Sequence, residues 1–280
     1  MRIDAHQHFW SYNKEEYGWI GDHMDLLKRD FLPPDLLPEL VNSGFDGSVA
    51  VQARQSIEET RWLLQLSEKF DFIKGVVGWA DLRSEDNLRR QLDEFCKSRK
   101  LVGVRHVVHD EPEDSFMLQD EFLKGISILK DYNLTYDLLL FPKHLPVAQV
   151  VVEMFPDQKF VIDHISKPLI RSHILDPWKE DIKAIAEFRN VYCKLSGMIT
   201  EADWEKWKQE DFRPYLDVVF NAFGTDRIMT GSDWPVCLAA GSYKDVITVV
   251  EKYIAGFPMK VKEQILGSNC SEFYNLNIDL

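Results

Sequence analysis

The chain opens Met1-Arg2-Ile3-Asp4-Ala5-His6-Gln7-His8-Phe9-Trp10, and the reading of this stretch decides the fold. Arg2–Phe9 has the length and apolar content of a buried strand. Side chains two apart on a strand share a face, so His6 and His8 project together and Gln7 turns away. The strand runs directly into Phe9 and Trp10, and no glycine follows before Gly18. An open, doubly wound sheet usually carries a Gly-rich phosphate loop after its first strand. A closed parallel barrel carries reactive side chains there instead.

Working outward, the same kind of short apolar run recurs at Gly47–Ala53, Ile73–Ala80, Leu101–Val108, Leu134–Leu140, Phe160–Ile165, Val191–Leu195 and Arg227–Gly231. Amphipathic segments separate these runs. Ser56-Ile57-Glu58-Glu59 is a capping-box pattern that opens a helix toward Phe70. Ser84 is placed to cap a helix that buries Leu88, Leu92 and Phe95. Phe122, Ile126 and Leu129 form a third stripe, and Ile182, Ile185 and Phe188 a fourth. Leu32-Pro33-Pro34-Asp35 reads as the lead-in to a helix rather than a linker. Eight strand–helix units in 280 residues predict a single-domain (β/α)8 TIM barrel over residues 1–280.

Composition narrows the function. The net charge is −13 and hydrophobic residues make up 45%. That apolar content can bury a core, which excludes disorder as the main state. The acidic balance argues against nucleic acid or an anionic membrane as partner, because both bind basic faces. No apolar run is long enough to span a bilayer, and no signal peptide is visible at the start. Cys96, Cys193, Cys237 and Cys270 lack metal-type spacing, and a reducing, cytoplasmic setting is expected.

In a barrel the chemistry sits at the C-terminal strand ends. Strand 1 ends in the His6/His8 pair, a good half-site for a divalent transition metal. Strand 6 reads Phe160-Val161-Ile162-Asp163-His164-Ile165-Ser166-Lys167-Pro168, with His164 at the apolar-to-polar transition and Asp163 expected on the opposite face. Strand 8 leads into Gly231-Ser232-Asp233-Trp234-Pro235. Alone, His164 reads first as a half-buried core histidine, and Asp233 also suits a turn cap. Together they predict one metal-binding or water-activating site, because strands 1 and 8 are neighbours in a closed barrel. Substrate-binding candidates at the same ends are Gln52, Arg54, Trp79, Asp81, Arg105, His106, Asp137 and Lys167, with Trp10 and Trp234 flanking them. The aromatic-rich segment Ser11–Phe31 suits a lid or a surface excursion.

Asp4-Ala5-His6-Gln7-His8-Phe9-Trp10, Ile162-Asp163-His164-Ile165-Ser166-Lys167-Pro168, Lys194-Leu195-Ser196-Gly197, Gly231-Ser232-Asp233-Trp234-Pro235 and Ile265-Leu266-Gly267-Ser268-Asn269-Cys270 resemble the amidohydrolase superfamily. The likeness is to its amidohydrolase-2 branch, sugar lactonases of the L-fuconolactonase and L-rhamnonolactonase type above all. It covers essentially the whole chain. It implies a barrel that hydrolyses a sugar lactone, with His6, His8, His164 and Asp233 as catalytic residues and as ligands of a metal. Strand 4 lacks the lysine of binuclear relatives and strand 5 lacks the histidine of decarboxylating ones. The resemblance therefore implies at most one divalent metal, zinc first, and leaves a metal-independent reaction open. A decarboxylase or a dicarboxylate-lactone hydrolase of the same branch is the alternative, for which Arg54, Arg105 and Arg171 are the available clamps. A non-catalytic barrel is a further one. The expected partner is a small sugar lactone. The oligomeric state stays open, a homodimer included.

Overall fold

A computed structural model of the chain describes residues 1–276. Eight strands, β1 (Ile3–Gln7), β2 (Gly47–Val51), β3 (Ile73–Gly78), β4 (Leu101–His106), β5 (Thr135–Leu138), β6 (Phe160–Ile162), β7 (Val191–Leu195) and β8 (Ile228–Thr230), pair in sequence order. Every pairing is parallel. The chain just past β8 returns to β1: Asp233 N donates to His6 O at 2.8 Å and His8 N to Trp234 O at 2.7 Å. The architecture is the expected (β/α)8 barrel.

Helices α1 (Pro33–Asn42), α2 (Ile57–Lys69), α3 (Glu85–Phe95), α4 (Asp120–Leu129), α5 (Leu145–Met154), α6 (Trp178–Ala186), α7 (Gln209–Phe223) and α8 (Tyr243–Tyr253) alternate with the strands. The apolar stripes of α3, α4 and α6 are buried as their spacing requires. Phe188 lies past the end of α6, half-buried against the same core. Ser56 caps α2 by accepting from Glu59 N at 3.2 Å. The Glu59 carboxylate does not close a capping box. It instead accepts from Ala53 N (2.9 Å) and Arg54 N (3.0 Å) in the loop after β2, and from Tyr17 OH (3.2 Å).

Inside the barrel, Ile3, Ala5, Val49, Val51, Val77, Val102, Val161 and Met229 form one buried cluster. Each fully buried valine, isoleucine or methionine there contributes about 1.5–3 kcal/mol. Two short helices, α9 (Met259–Glu263) and α10 (Asn269–Tyr274), follow α8. Cys270, Phe273 and Tyr274 of α10 join the interior cluster and seal the barrel at the end opposite the reactive side chains. Among the described residues, no helix is long and apolar enough to cross a membrane.

Candidate active site at the barrel mouth

Alternation along β1 sends His6 and His8 to one place, their Nε2 atoms 3.2 Å apart, while Gln7 Nε2 donates to Ser48 Oγ at 3.1 Å. Two departures from regular strand bring the other groups in. β6 ends at Ile162, and His164, Ile165, Ser166 and Lys167 all adopt left-handed backbone, with φ of 54°, 47°, 60° and 48°. A β-branched residue such as Ile165 rarely accepts this conformation, which costs of order 1–3 kcal/mol. Trp178 Nε1 holds the turn by donating to Ile165 O at 2.7 Å. After β8, Asp233 is also left-handed, with φ 57°. Its Oδ1 then lies 3.3 Å from His8 Nε2, 3.8 Å from His164 Nε2 and 3.9 Å from His6 Nε2. All four side chains are nearly or fully buried.

Asp4 staples these elements together. Its carboxylate accepts from Ser232 N (2.8 Å), Ser232 Oγ (2.6 Å), Tyr243 OH (3.1 Å) and His6 N (3.1 Å), which fixes β1 against the turn that carries Asp233. Burial outweighs these donors and pushes the Asp4 carboxyl up to about 6.

The left-handed turn overturns one expectation. Asp163 does not face away from His164. Its Oδ1 lies 3.2 Å from His6 Nδ1, and its Oδ2 accepts from Arg105 Nη1 at 3.0 Å. The alternation rule holds only while the chain remains a strand, and here it stops one residue earlier. A second finding is Lys194, fully buried, whose Nζ lies 2.5 Å from Asp137 Oδ2, 3.0 Å from Asp163 Oδ1 and 3.2 Å from His6 Nδ1. Tyr274 OH reaches Asp137 Oδ2 from α10 at 2.7 Å. Burial opposes the ionisation of Asp163, yet Lys194 and His6 hold its carboxyl well below the usual range.

The other expected substrate groups divide by environment. Gln52 and Arg105 are buried beside His6, with Arg105 Nη1 3.2 Å from His6 Nε2 and Arg105 Nη2 donating to Gln52 O. Trp79 Nε1 donates to His106 Nδ1 at 3.3 Å, and His106 Nε2 meets Glu111 Oε1 at 2.6 Å, so both ring nitrogens of His106 are engaged in the wall. Arg54 pairs with Glu16 (2.7 Å) and Lys167 with Glu201 (3.0 Å). Asp137 is taken up by Lys194 and Tyr274 and has no exposed surface, so it is not a hydroxyl-binding group of the mouth. Trp10 is likewise core: its ring packs on Tyr17, Trp19 and Phe31, leaving no face for a sugar. Trp234 packs on Phe9 and Phe31. The Ser11–Phe31 excursion reaches the neighbouring loops through Glu16 to Arg54, Tyr17 to Glu59 and the His23 ring on Trp204.

His6, His8 and Asp233 fit one divalent metal ion, and the expected fourth ligand, His164, groups instead with His6 and Asp163. His8 Nδ1 faces Val51 O at 2.8 Å, and a carbonyl only accepts, so His8 keeps its proton there and turns a lone pair inward. His164 Nδ1 is 2.9 Å from Ser196 Oγ, again leaving Nε2 inward. Burial, with nearby positive groups, holds His6 and His164 well below the ordinary histidine pKa, in the neutral form that binds metal. A tetrahedral ion with bonds of about 2.0–2.1 Å sets its ligands roughly 3.3 Å apart. The spacings of 3.2 to 3.9 Å around Asp233 Oδ1 and the His6–His8 edge bracket that value. Arg105 competes for the same His6 lone pair.

Gly197 sets the place of the His164 ring. It has φ +60°, and a Cβ there would stand 2.5 Å from His164 Nδ1. Gly197→Ala is expected to lower kcat/KM about 10²-fold, the cost of displacing a reacting group by roughly 1 Å. The left-handed alanine removes about 1–2 kcal/mol of stability. Steady-state kinetics with a thermal melt check both, and wild-type kinetics would remove His164 from the site.

The amidohydrolase family model matches residues 3–276, essentially the full barrel. The chain belongs to the amidohydrolase family. This amidohydrolase is 39% identical over 263 residues to an L-fucono-1,5-lactonase of Burkholderia multivorans (strain ATCC 17616 / 249), covering 90% of this chain and 88% of that one. It is 33% identical over 284 residues to an L-fucono-1,5-lactonase of Burkholderia ambifaria, covering 99% and 96%. A crystal structure of a Burkholderia multivorans amidohydrolase with bound Zn superposes with a TM-score of 0.95 at 37% identity, covering 99% of each chain.

Proposed function

We propose that this amidohydrolase opens a sugar lactone, of the L-fucono-1,5-lactone type, to its aldonic acid. The observation that carries the reading is the convergence of three imidazole Nε2 atoms on one Asp233 oxygen at the barrel mouth. Two relatives that align over nearly the whole chain bear that activity in their names. A lactone is a reactive ester, so a base for water and charge stabilisation at the carbonyl oxygen suffice. Asp233 takes a proton from water as the oxygen attacks the carbonyl carbon. Arg105 is the direct donor beside the carbonyl oxygen as it gains negative charge, and His6, His8 and His164 turn lone pairs inward, where they would hold a metal ion. The carbon–ring oxygen bond then breaks, and Asp233 returns its proton to the leaving ring oxygen. A divalent metal held by His6, His8 and Asp233, with His164 beside them, zinc in our reading, would supply Lewis-acid polarisation of the carbonyl when bound.

The paired cations favour a neutral lactone over a dicarboxylate. Arg54 is held by Glu16 and Arg105 by Asp163, and of the three only Arg171, exposed in a turn, has no ion-pair partner among the described residues, so they do not supply a set of free arginines to clamp a dicarboxylate. A decarboxylase would require such a clamp. The reaction places the chain in carbohydrate metabolism, and the four unpaired cysteines suit a reducing cytoplasm. Acid release from a panel of 1,4- and 1,5-aldonolactones, followed with a pH indicator with and without chelator, tests the proposal. A 6-deoxy-hexono-1,5-lactone is expected to be turned over with kcat/KM of about 10⁴ M⁻¹s⁻¹ or more. Inactivity on the whole panel, beside turnover of a dicarboxylate lactone or release of CO2 from an aromatic acid, would overturn it.

A further inference from the structure

Two groupings of metal-type side chains share His6: His6 with His8 and Asp233, and His6 with Asp163 and His164. The charges beside them decide between the two. Both oxygens of Asp163 already face cations, Oδ1 toward Lys194 at 3.0 Å and Oδ2 toward Arg105 at 3.0 Å. Neither cation touches Asp233 within 4 Å, so a divalent ion meets less repulsion at His6, His8 and Asp233.

The Lys194 ammonium stands where a second ion would stand. Asp137 Oδ2, Asp163 Oδ1 and His6 Nδ1 converge on its Nζ at 2.5, 3.0 and 3.2 Å. Two carboxylates and an imidazole around one point are a donor set for a divalent transition metal. Lys194 hydrogen-bonds Asp137 Oδ2 and His6 Nδ1, but Asp163 Oδ1 lacks an aligned donor, and Asp137 Oδ1 is buried without any partner. The carboxylates thus retain accepting capacity that one ammonium does not fill. Tyr274 and the interior cluster keep water from the far side.

We propose that Lys194 is a resident cation in a built cation site on the barrel axis, and that its ammonium is what limits this amidohydrolase to one divalent ion. Removing it leaves Asp137 and Asp163 as the carboxylate ligands of a second metal site, which His6 completes as a bridging imidazolate by giving its Nδ1 proton to water. The inference concerns the geometry of the barrel and stands apart from the choice of substrate.

The test is metal content rather than activity. Purified full-length wild type, Lys194→Ala and the charge-balanced double variant Lys194→Met/Asp137→Asn are stripped with chelator and dialysed to equilibrium against zinc. Bound zinc is measured by plasma emission, and thermal melts are recorded with and without zinc. Lys194→Ala is expected to hold one equivalent more than wild type and to regain melting temperature on zinc addition more strongly than wild type does. The double variant, which lacks both the cation and one ligand, is expected to match wild type in zinc content. Three results would each overturn the proposal: equal zinc in wild type and Lys194→Ala, a second equivalent in wild type with Lys194 in place, or Lys194→Ala remaining unfolded in zinc while the double variant folds.

Discussion

Asp233→Asn is expected to lower kcat about 10²–10⁴-fold, the range for losing a positioned general base. KM should change little, since the amide keeps the shape of the group. Asparagine also tolerates the left-handed backbone that Asp233 adopts at φ 57°. The turn itself rests on main-chain bonds the substitution leaves alone, Asp233 N to His6 O at 2.8 Å and Cys237 N to Asp233 O at 2.9 Å. Folding should therefore be intact, and a thermal melt separates lost chemistry from lost structure. An Asp233→Asn variant with wild-type kcat would take the base role away from this residue.

Lys194→Met in chelator-treated buffer is expected to cost about 3–5 kcal/mol of stability, the range for breaking a buried ion pair from one side. Burial opposes the charge of Lys194, but Asp137 and Asp163 overcome it and hold the ammonium pKa above the ordinary lysine value. Methionine keeps most of the volume, so the loss comes from two buried carboxylates left with one guanidinium, which pairs with Asp163 and not with Asp137. Adding Asp137→Asn should recover a large part of it, because the uncompensated charge goes too. Denaturant titration of the two variants against wild type measures this. Equal stability of Lys194→Met and wild type would mean the cluster is hydrated or neutral.

The two periodicities account for what the sequence made legible. Strand starts and the pairing of His6 with His8 follow from alternation along β1, and the helix stripes follow from the 3.6-residue repeat. The same rule sets Asp163 and His164 on opposite faces; Asp163 keeps the inward face of Val161, and the left-handed turn after β6 brings His164 in beside it, which no local pattern at Asp163-His164-Ile165 announces. Trp10 and Trp234 stood next to the site in sequence, yet large aromatic rings gain more from packing than from the mouth. Asp137 faces inward as a strand-end residue should, but its partner Lys194 was not recognised. A signal existed: in Val191-Tyr192-Cys193-Lys194-Leu195 the lysine sits in an otherwise apolar-to-aromatic strand, and a lysine there must be buried and paired. Asp4 was visible in the opening motif, but its bond to Ser232, 228 positions away, follows only from barrel closure.

One measurement bears most directly on the claim that Asp233 activates water at this mouth. In a single turnover in ¹⁸O-water, with enzyme in excess over L-fucono-1,5-lactone, direct attack by water places one ¹⁸O in the aldonate carboxylate of the first product and none in the protein. Unlabelled carboxylate in that first product, with ¹⁸O found instead on the Asp233 side chain, would show that the aspartate attacks the carbonyl itself and would contradict the account.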